Sequence, residues 1–150
     1  RSSDLCHIYD LFTDITGSKV NKINAHSINP MTDYYGVTDN FVAVISFEDG
    51  SVATLTYTAL GAKDSPKEQM EIYCDGKVIK LDDYRTLEIF GSRNSGLNTK
   101  TMQKGQAEEI QSFGKAIING GEWPIPLWQQ IQATKIAFEV EKQISNNSID

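Results

Sequence analysis

The chain has 150 residues, with 14 Lys and Arg against 20 Asp and Glu, for a net charge of −6. That length suits one domain or two very small ones, and a chain of this size buries about 68–70% of its unfolded surface without a disulfide or metal staple. Apolar residues at 39% and charged residues at 23% describe an ordinary globular composition. No apolar run approaches the ~20 residues of a membrane span, so no membrane partner is expected. The acidic balance, with no cluster of Lys or Arg, argues against a nucleic-acid partner held through phosphates. The two cysteines, Cys6 and Cys74, stand far apart with no CxxC or Cys/His cluster. No metal site is therefore expected, and two unpaired thiols fit a reducing, cytoplasmic compartment. The chain opens RSSDLCHIYD, with no initiator Met and no signal pattern. A start inside an apparent helix reads as a piece of something longer.

The first helix is expected from about Asp4 to Thr16. Leu5, Ile8, Phe12 and Ile15 form its apolar stripe, Ser2, Ser3 or Asp4 its cap and Gly17 its stop. KVNKINAHSI (19–28) reads as a strand and NPMTDYYGVTDN (29–40) as a loop. Two hairpins follow. FVAVISF (41–47) and SVATLTYTAL (51–60) flank Glu48-Asp49-Gly50; QMEIYC (69–74) and KVIKLDDY (77–84) flank Asp75-Gly76. Asp-Gly between β-branched runs favours tight primed turns. TLEIF (86–90) reads as a further strand and 91–105 as a polar loop.

A helix then carries Ala107, Ile110, Phe113 and Ile117, and Gly120-Gly121 ends it. After EWPIP, a long last helix brings Leu127, Ile131, Thr134, Phe138 and Glu141 or Ile144 around one side. Helix, about six mostly antiparallel strands, then two helices predicts a single α+β domain: one open sheet with helices on one face. In SVATLTYTAL, Ala53, Leu55, Tyr57 and Ala59 point one way, suited to helices. Val52, Thr54, Thr56 and Thr58 point the other, toward water or a second sheet.

The sequence has no GxGxxG after a strand, no P-loop, no GxSxG and no HExxH. His26, in an edge strand, reads as a surface residue. His7 has Asp4 three residues before it and Asp10 three residues after, both within reach on a helix. Carboxylates at that distance orient an imidazole and favour its charged form, which suits proton exchange at neutral pH. The same pattern also describes an ordinary surface histidine beside two acids.

Three ordered stretches carry a resemblance: CHIYDLFTDITGS (6–18), DNFVAVISFEDGSVATLTYTALGAKDSPKEQMEIYCDGKVIKLDDYRTLEIFG (39–91) and KGQAEEIQSFGKAIINGGEWPIPL (104–127). Together they resemble the C-terminal domain of the glucose-fructose oxidoreductase / inositol dehydrogenase (Gfo/Idh/MocA) family, most closely its sugar and nucleotide-sugar branch. The resemblance implies an N-terminal Rossmann domain, absent from this chain, that holds NAD or NADP and supplies a lysine. It implies no cofactor held by this fragment alone.

His7 matches the family histidine that exchanges a proton with the substrate hydroxyl while hydride passes to or from the nicotinamide. Ser3 stands where many members have Asp, and Asp4 stands where the branch often has Glu. Asp4 and Asp10 are thus candidate substrate contacts or orienters of His7. Gln106 stands where the branch often has His, which leaves that position without an assigned role. The loop LGAKDSPK (60–67) corresponds to one bordering the substrate pocket, and makes Lys63 a candidate contact for a sugar hydroxyl or phosphate. Tyr34 and Tyr35 are read either as covering a pocket or as packing on the sheet edge, and Trp123 and Trp128 as packing anchors in preference to a sugar platform.

The resemblance also implies a homo-oligomer formed through the open face of the sheet. A fragment without its cofactor half is expected to be inactive. The rival reading is a non-enzymatic α+β module that binds a small ligand or a protein.

Overall fold

The computed structural model describes residues 5–28, 31–94 and 96–146. In chain order its elements are α1 (Cys6–Thr16), β1 (Val20–Ser27), a 3-10 turn (Val37–Asp39), β2 (Asn40–Phe47), β3 (Val52–Thr58), β4 (Gln69–Cys74), β5 (Lys77–Asp82), β6 (Thr86–Phe90), β7 (Leu97–Asn98), α2 (Gln106–Asn119) and α3 (Leu127–Asn146). The chain forms two compact units. One is built from the residues up to Gly61 and from Gly121 onward, the other from Ala62–Gly120. The class is α+β with open antiparallel sheets, as expected. The strands divide between two sheets, β1-β2-β3 and β4-β5-β6-β7.

In the first unit, β2 is the central strand. Ile45 lies between Ile23 and Ala53, and Ala43 between Ala25 and Leu55. Alternation sends Phe41, Ala43, Ile45 and Phe47 into the core and leaves Val42 and Val44 exposed. The expected split of β3 holds: Ala53, Leu55 and Tyr57 are half-buried, whereas Thr54, Thr56 and Thr58 are exposed. Asp49 shapes the β2–β3 turn by accepting from the Ser51 N–H at 3.0 Å and the Ser51 hydroxyl at 2.8 Å. Those two bonds hold its carboxyl below the usual range.

Gly17 ends α1 at φ 60°, with its N–H on the Thr13 carbonyl at 2.8 Å. The candidate caps Ser2, Ser3 and Asp4 lie outside the described residues. The buried face of α1 is Ile8, Tyr9, Phe12 and Thr13. Ile15, expected in the stripe, is exposed, because adjacent pairs 8/9 and 12/13 centre that face one residue away from it.

α3 departs further from the reading of its sequence. Its core face is Ala133, Ile136, Ala137, Val140 and Ile144, whereas Leu127, Ile131 and Phe138 stay exposed. Two glutamines set this phase. Gln143 Oε1 accepts from the Ala25 N–H at 2.8 Å, and Gln143 Nε2 donates to the Ile23 carbonyl at 3.1 Å. One residue of an additional strand would offer edge strand β1 the same pair of bonds. Gln132 Oε1 accepts from the Val20 N–H at 3.0 Å, while its Nε2 donates to the Ser18 carbonyl at 3.0 Å and to Thr13 Oγ1 at 3.1 Å. Eleven helical residues rise about 16 Å and five strand residues about the same. Positions 132 and 143 therefore meet positions 20 and 25 without strain.

The second unit is a four-stranded meander. Its first turn is Asp75-Gly76, at φ 46° and 73°, as the sequence predicts. Its second is Asp83-Tyr84, at φ 48° and 52°, where the strand was expected to run on to residue 84. No glycine marks this turn. Hydrogen bonds hold it instead: Asp83 Oδ1 accepts from the N–H groups of Lys67 (2.9 Å) and Glu68 (3.2 Å), and the Gln103 N–H donates to the Tyr84 carbonyl at 2.9 Å. β7 forms inside the expected loop. A side chain at Gly96 would place its Cβ 1.9 Å from the Leu87 carbonyl oxygen, so only glycine admits the strand there. α2 forms as predicted, but no residue of it is buried.

Gln143→Ala removes the acceptor of the Ala25 N–H and the donor to the Ile23 carbonyl, and about 1–3 kcal/mol of stability should be lost in urea unfolding. Gln130→Ala is the control. Among the described residues its side-chain amide donates to the Ile125 carbonyl, at an exposed site, and the shift should stay within about 0.5 kcal/mol.

Candidate functional site

The phase of α1 decides what its histidine can do. Ile8, Tyr9, Phe12 and Thr13 anchor one side of the helix, and this turns His7 and Asp14 to the exposed side, with Asp10 and Leu11 half-buried at the boundary. His7 and Asp10 lie one helical turn apart, within side-chain reach. Asp4 lies outside the described residues. Tyr9, not singled out in the sequence, is the anchor of this arrangement. It is fully buried, and burial first, then the neighbouring Cys6, pushes its phenol well above the ordinary range.

Lys63 belongs to the second unit. It is exposed in the loop before β4 and lines an open pocket of about 560 Å³ with Asp64, Lys67, Asp82, Asp83 and Arg85. Three cations and three carboxylates give this pocket both hydrogen-bond donors and acceptors. One carboxylate oxygen, Asp83 Oδ1, is already engaged by backbone N–H groups. The structure thus brings His7 and Asp10 together on α1 and sets Lys63 in a separate polar hollow of the other unit.

The remaining candidates separate clearly. His26 is a surface residue on the outer face of its sheet, opposite Val42. Tyr34 is exposed and Tyr35 half-buried. Trp123 and Trp128, expected as packing anchors, are both exposed; the prolines between them keep this stretch out of the helix until α3 begins. Gln106 is the exposed first residue of α2.

A cluster in the second unit was not visible in the sequence, because its members are far apart along the chain. Lys104 Nζ pairs with Glu68 Oε1 at 2.6 Å and sits 5.1 Å from the centre of the Tyr84 ring. Burial, then Glu68, pushes the Tyr84 phenol up to about 12.

Among the described residues, no three His, Cys, Asp or Glu side chains converge as metal ligands would, and no helix is long and apolar enough to cross a membrane. The Rossmann type of dinucleotide site is built from a strand, a glycine turn and a helix N-terminus in sequence, within a parallel βαβ unit. Among the described residues the paired strands are antiparallel, α2 follows β7 through residues 99–105, and α3 follows α2.

Residues 4–80 match the family model of the GFO/IDH/MocA C-terminal domain. The chain belongs to this family. Comparison with curated protein sequences gave no match. Among solved structures, the Gfo/Idh/MocA chain is similar to the UDP-N-acetylglucosamine 3-dehydrogenase GnnA of Acidithiobacillus ferrooxidans, with a TM-score of 0.77 and 20% identity over 95% of this chain and 46% of that one. It is similar to an oxidoreductase of Agrobacterium radiobacter in complex with NAD+, L-tartaric acid and magnesium, at 0.70 and 17% over 97% and 47%. It is also similar to the WlbA dehydrogenase of Bordetella pertussis in complex with NADH and UDP-GlcNAcA, at 0.57 and 11% over 95% and 41%. At these identities the likeness is one of fold, and the chain spans less than half the length of each of these proteins.

The Tyr84 environment sets an alkaline limit on the second unit of this Gfo/Idh/MocA chain. A phenol whose pKa is raised by folding stabilises the fold below its ordinary value of 10, and that contribution is lost as pH rises from 10 through about 12. In a phenolate absorbance titration, Tyr84→Phe should remove one late-titrating group and flatten the loss of stability across that window.

Proposed function

We propose that this chain is the substrate-binding and assembly half of a longer NAD(P)-dependent oxidoreductase acting on a sugar or nucleotide-sugar hydroxyl. The observation that carries the reading is His7. It stands exposed on a helix anchored by Tyr9 and Phe12, with Asp10 one turn away. The matched family model supports the class. So do neighbours whose names specify a nucleotide-sugar dehydrogenase or complexes with NADH and NAD+.

In this reading a nicotinamide bound by the other half supplies the hydride acceptor, and the redox chemistry is its own. The work of this chain is the proton. The His7 imidazole takes it from the substrate hydroxyl during oxidation and returns it in the reverse direction. Asp10, with Asp4, orients that ring or contacts the substrate, and Lys63 contacts a hydroxyl or phosphate. A lysine of the other half assists. Two free thiols, Cys6 half-buried and Cys74 exposed, suit a reducing cytoplasm. The outer face of β1-β2-β3 holds Val42 and Val44 beside Thr54, Thr56 and Thr58. We assign that face to a second copy of the chain.

In the longer enzyme, His7→Ala should lower kcat by roughly 10²–10⁴, the range for lost acid–base catalysis, and leave the Kd for NAD(H) nearly unchanged. This chain alone should turn over none of a panel of sugars and nucleotide sugars. An unchanged kcat in the variant removes His7 from the mechanism. Assembly is tested separately. In sedimentation equilibrium the unmodified protein should be oligomeric, and Thr56→Glu, which puts a charge at the middle of the face, should yield monomers. A monomeric unmodified protein ends the assignment of that face.

A further inference from the structure

α2 differs from the other two helices in that none of its 14 residues is buried. A helix of that length is marginal in water without tertiary packing, so its last turn opens at low cost. That turn ends at Asn119-Gly120, the one Asn-Gly step of the sequence, and both residues are exposed. α1 also ends at a glycine, but there the Gly17 N–H is held by the Thr13 carbonyl at 2.8 Å. Gly120 stands at φ 64° and ψ 139°, and among the described residues no backbone carbonyl accepts its N–H. Beyond its chain neighbours, no described atom lies within 4 Å of the place a Cβ on Gly120 would take, so water and base reach its nitrogen.

We propose that Asn119-Gly120 is a site of spontaneous modification, at which the Gly120 nitrogen closes a cyclic imide on the Asn119 side chain and the ring opens to aspartate or isoaspartate. The Gly120 nitrogen gives its proton to a solvent base and bonds to Asn119 Cγ. The Cγ–Nδ2 bond breaks, and Nδ2 takes a proton from solvent and leaves as ammonia. Water then adds at either ring carbonyl and breaks that carbon's bond to the ring nitrogen, which regains a proton. Water is consumed, ammonia is released, and nothing is oxidised or reduced. The product carries a new carboxylate at the C-terminal end of α2, where the helix dipole already disfavours negative charge and Glu122 follows closely. The isoaspartate form also adds a carbon to the main chain just before Gly120, the last residue of the second unit. Both changes loosen the turn whose opening allowed the reaction.

Two Asp-Gly steps can close the same ring by losing water, and the structure restrains both. At Asp49-Gly50 the carboxylate accepts from the Ser51 N–H and hydroxyl, and the Gly50 N–H donates to the Phe47 carbonyl at 3.1 Å. Asp75-Gly76 is the tight turn between the paired strands β4 and β5. Asn119-Gly120 has neither restraint.

The folded protein, incubated in mildly alkaline buffer and digested with trypsin, tests this by mass spectrometry. The peptide of residues 116–135 should gain the mass of an amide-to-acid change, located at Asn119 by fragmentation, with isoaspartate in excess over aspartate. The reaction should run several-fold more slowly in mildly acidic buffer, and Asp49-Gly50 should stay unchanged over the same period. Asn119→Gln, whose longer side chain closes a ring far more slowly, should remain intact. Asn119→Asp, which carries the charge of the product, should exchange the amide hydrogens of the last turn of α2 several-fold faster than Asn119→Gln. Asn119 left intact in the folded protein, over a period that converts it in urea, overturns the proposal, because the end of α2 then stays closed. Conversion of Asp49-Gly50 as fast as Asn119 overturns it too, because the fold then selects no site. Equal exchange in the two variants overturns the loosening of α2.

Discussion

The first unit depends on the docking of α3 along β1, a strand more than a hundred residues earlier in the chain. Apolar burial supplies the attraction, but it is non-directional and would accept several rotations of a helix with apolar residues on two sides. The Gln132 and Gln143 amides remove that freedom. They pair with Val20, Ile23 and Ala25 on the open edge of the sheet, so one rotation satisfies backbone groups that the others would leave buried and unpaired. The same contact blunts an edge strand that would otherwise be free to pair with another chain.

The candidate site inherits this geometry. Gln132 also bonds Thr13 Oγ1 and the Ser18 carbonyl, so the end of α1 and the turn into β1 are tied to the same amide. With Tyr9 and Phe12 in the core, α1 cannot rotate, and His7 is held on the exposed side. A proton-exchanging side chain needs this combination of a rigid helix and an accessible ring. The second unit is organised differently. Its sheet has half-buried rather than buried apolar residues. Its distinctive contacts are polar: the Asp83 turn, the Glu68–Lys104 pair and the hollow that contains Lys63.

Much of the fold was legible because its signals are local. Gly17 closes α1, Asp75-Gly76 turns β4 into β5, and the alternation of β3 predicts which side meets the helices; each depends on a few neighbouring residues. The Asp83-Tyr84 turn was not legible, since two non-glycine residues at positive φ are held by Lys67, Glu68 and Gln103 from elsewhere in the chain. Of the site, the placing of His7 and Asp10 one turn apart on α1 followed from helical spacing. The role of Tyr9 did not, because a tyrosine beside an isoleucine carries no mark of which will be the deeper.

By itself the sequence determined the class of fold, the order of its elements, most of its turns and its resemblance to the Gfo/Idh/MocA family. Each of these rests on residue types and short-range spacing, which act before the chain is compact. Only the tertiary structure decided how the strands divide into two sheets and which side of α3 is buried. It also decided that Lys63 and His7 belong to different units. Those outcomes depend on hydrogen bonds and contacts between residues distant in sequence, and a linear pattern that serves two apolar faces equally well cannot choose between them.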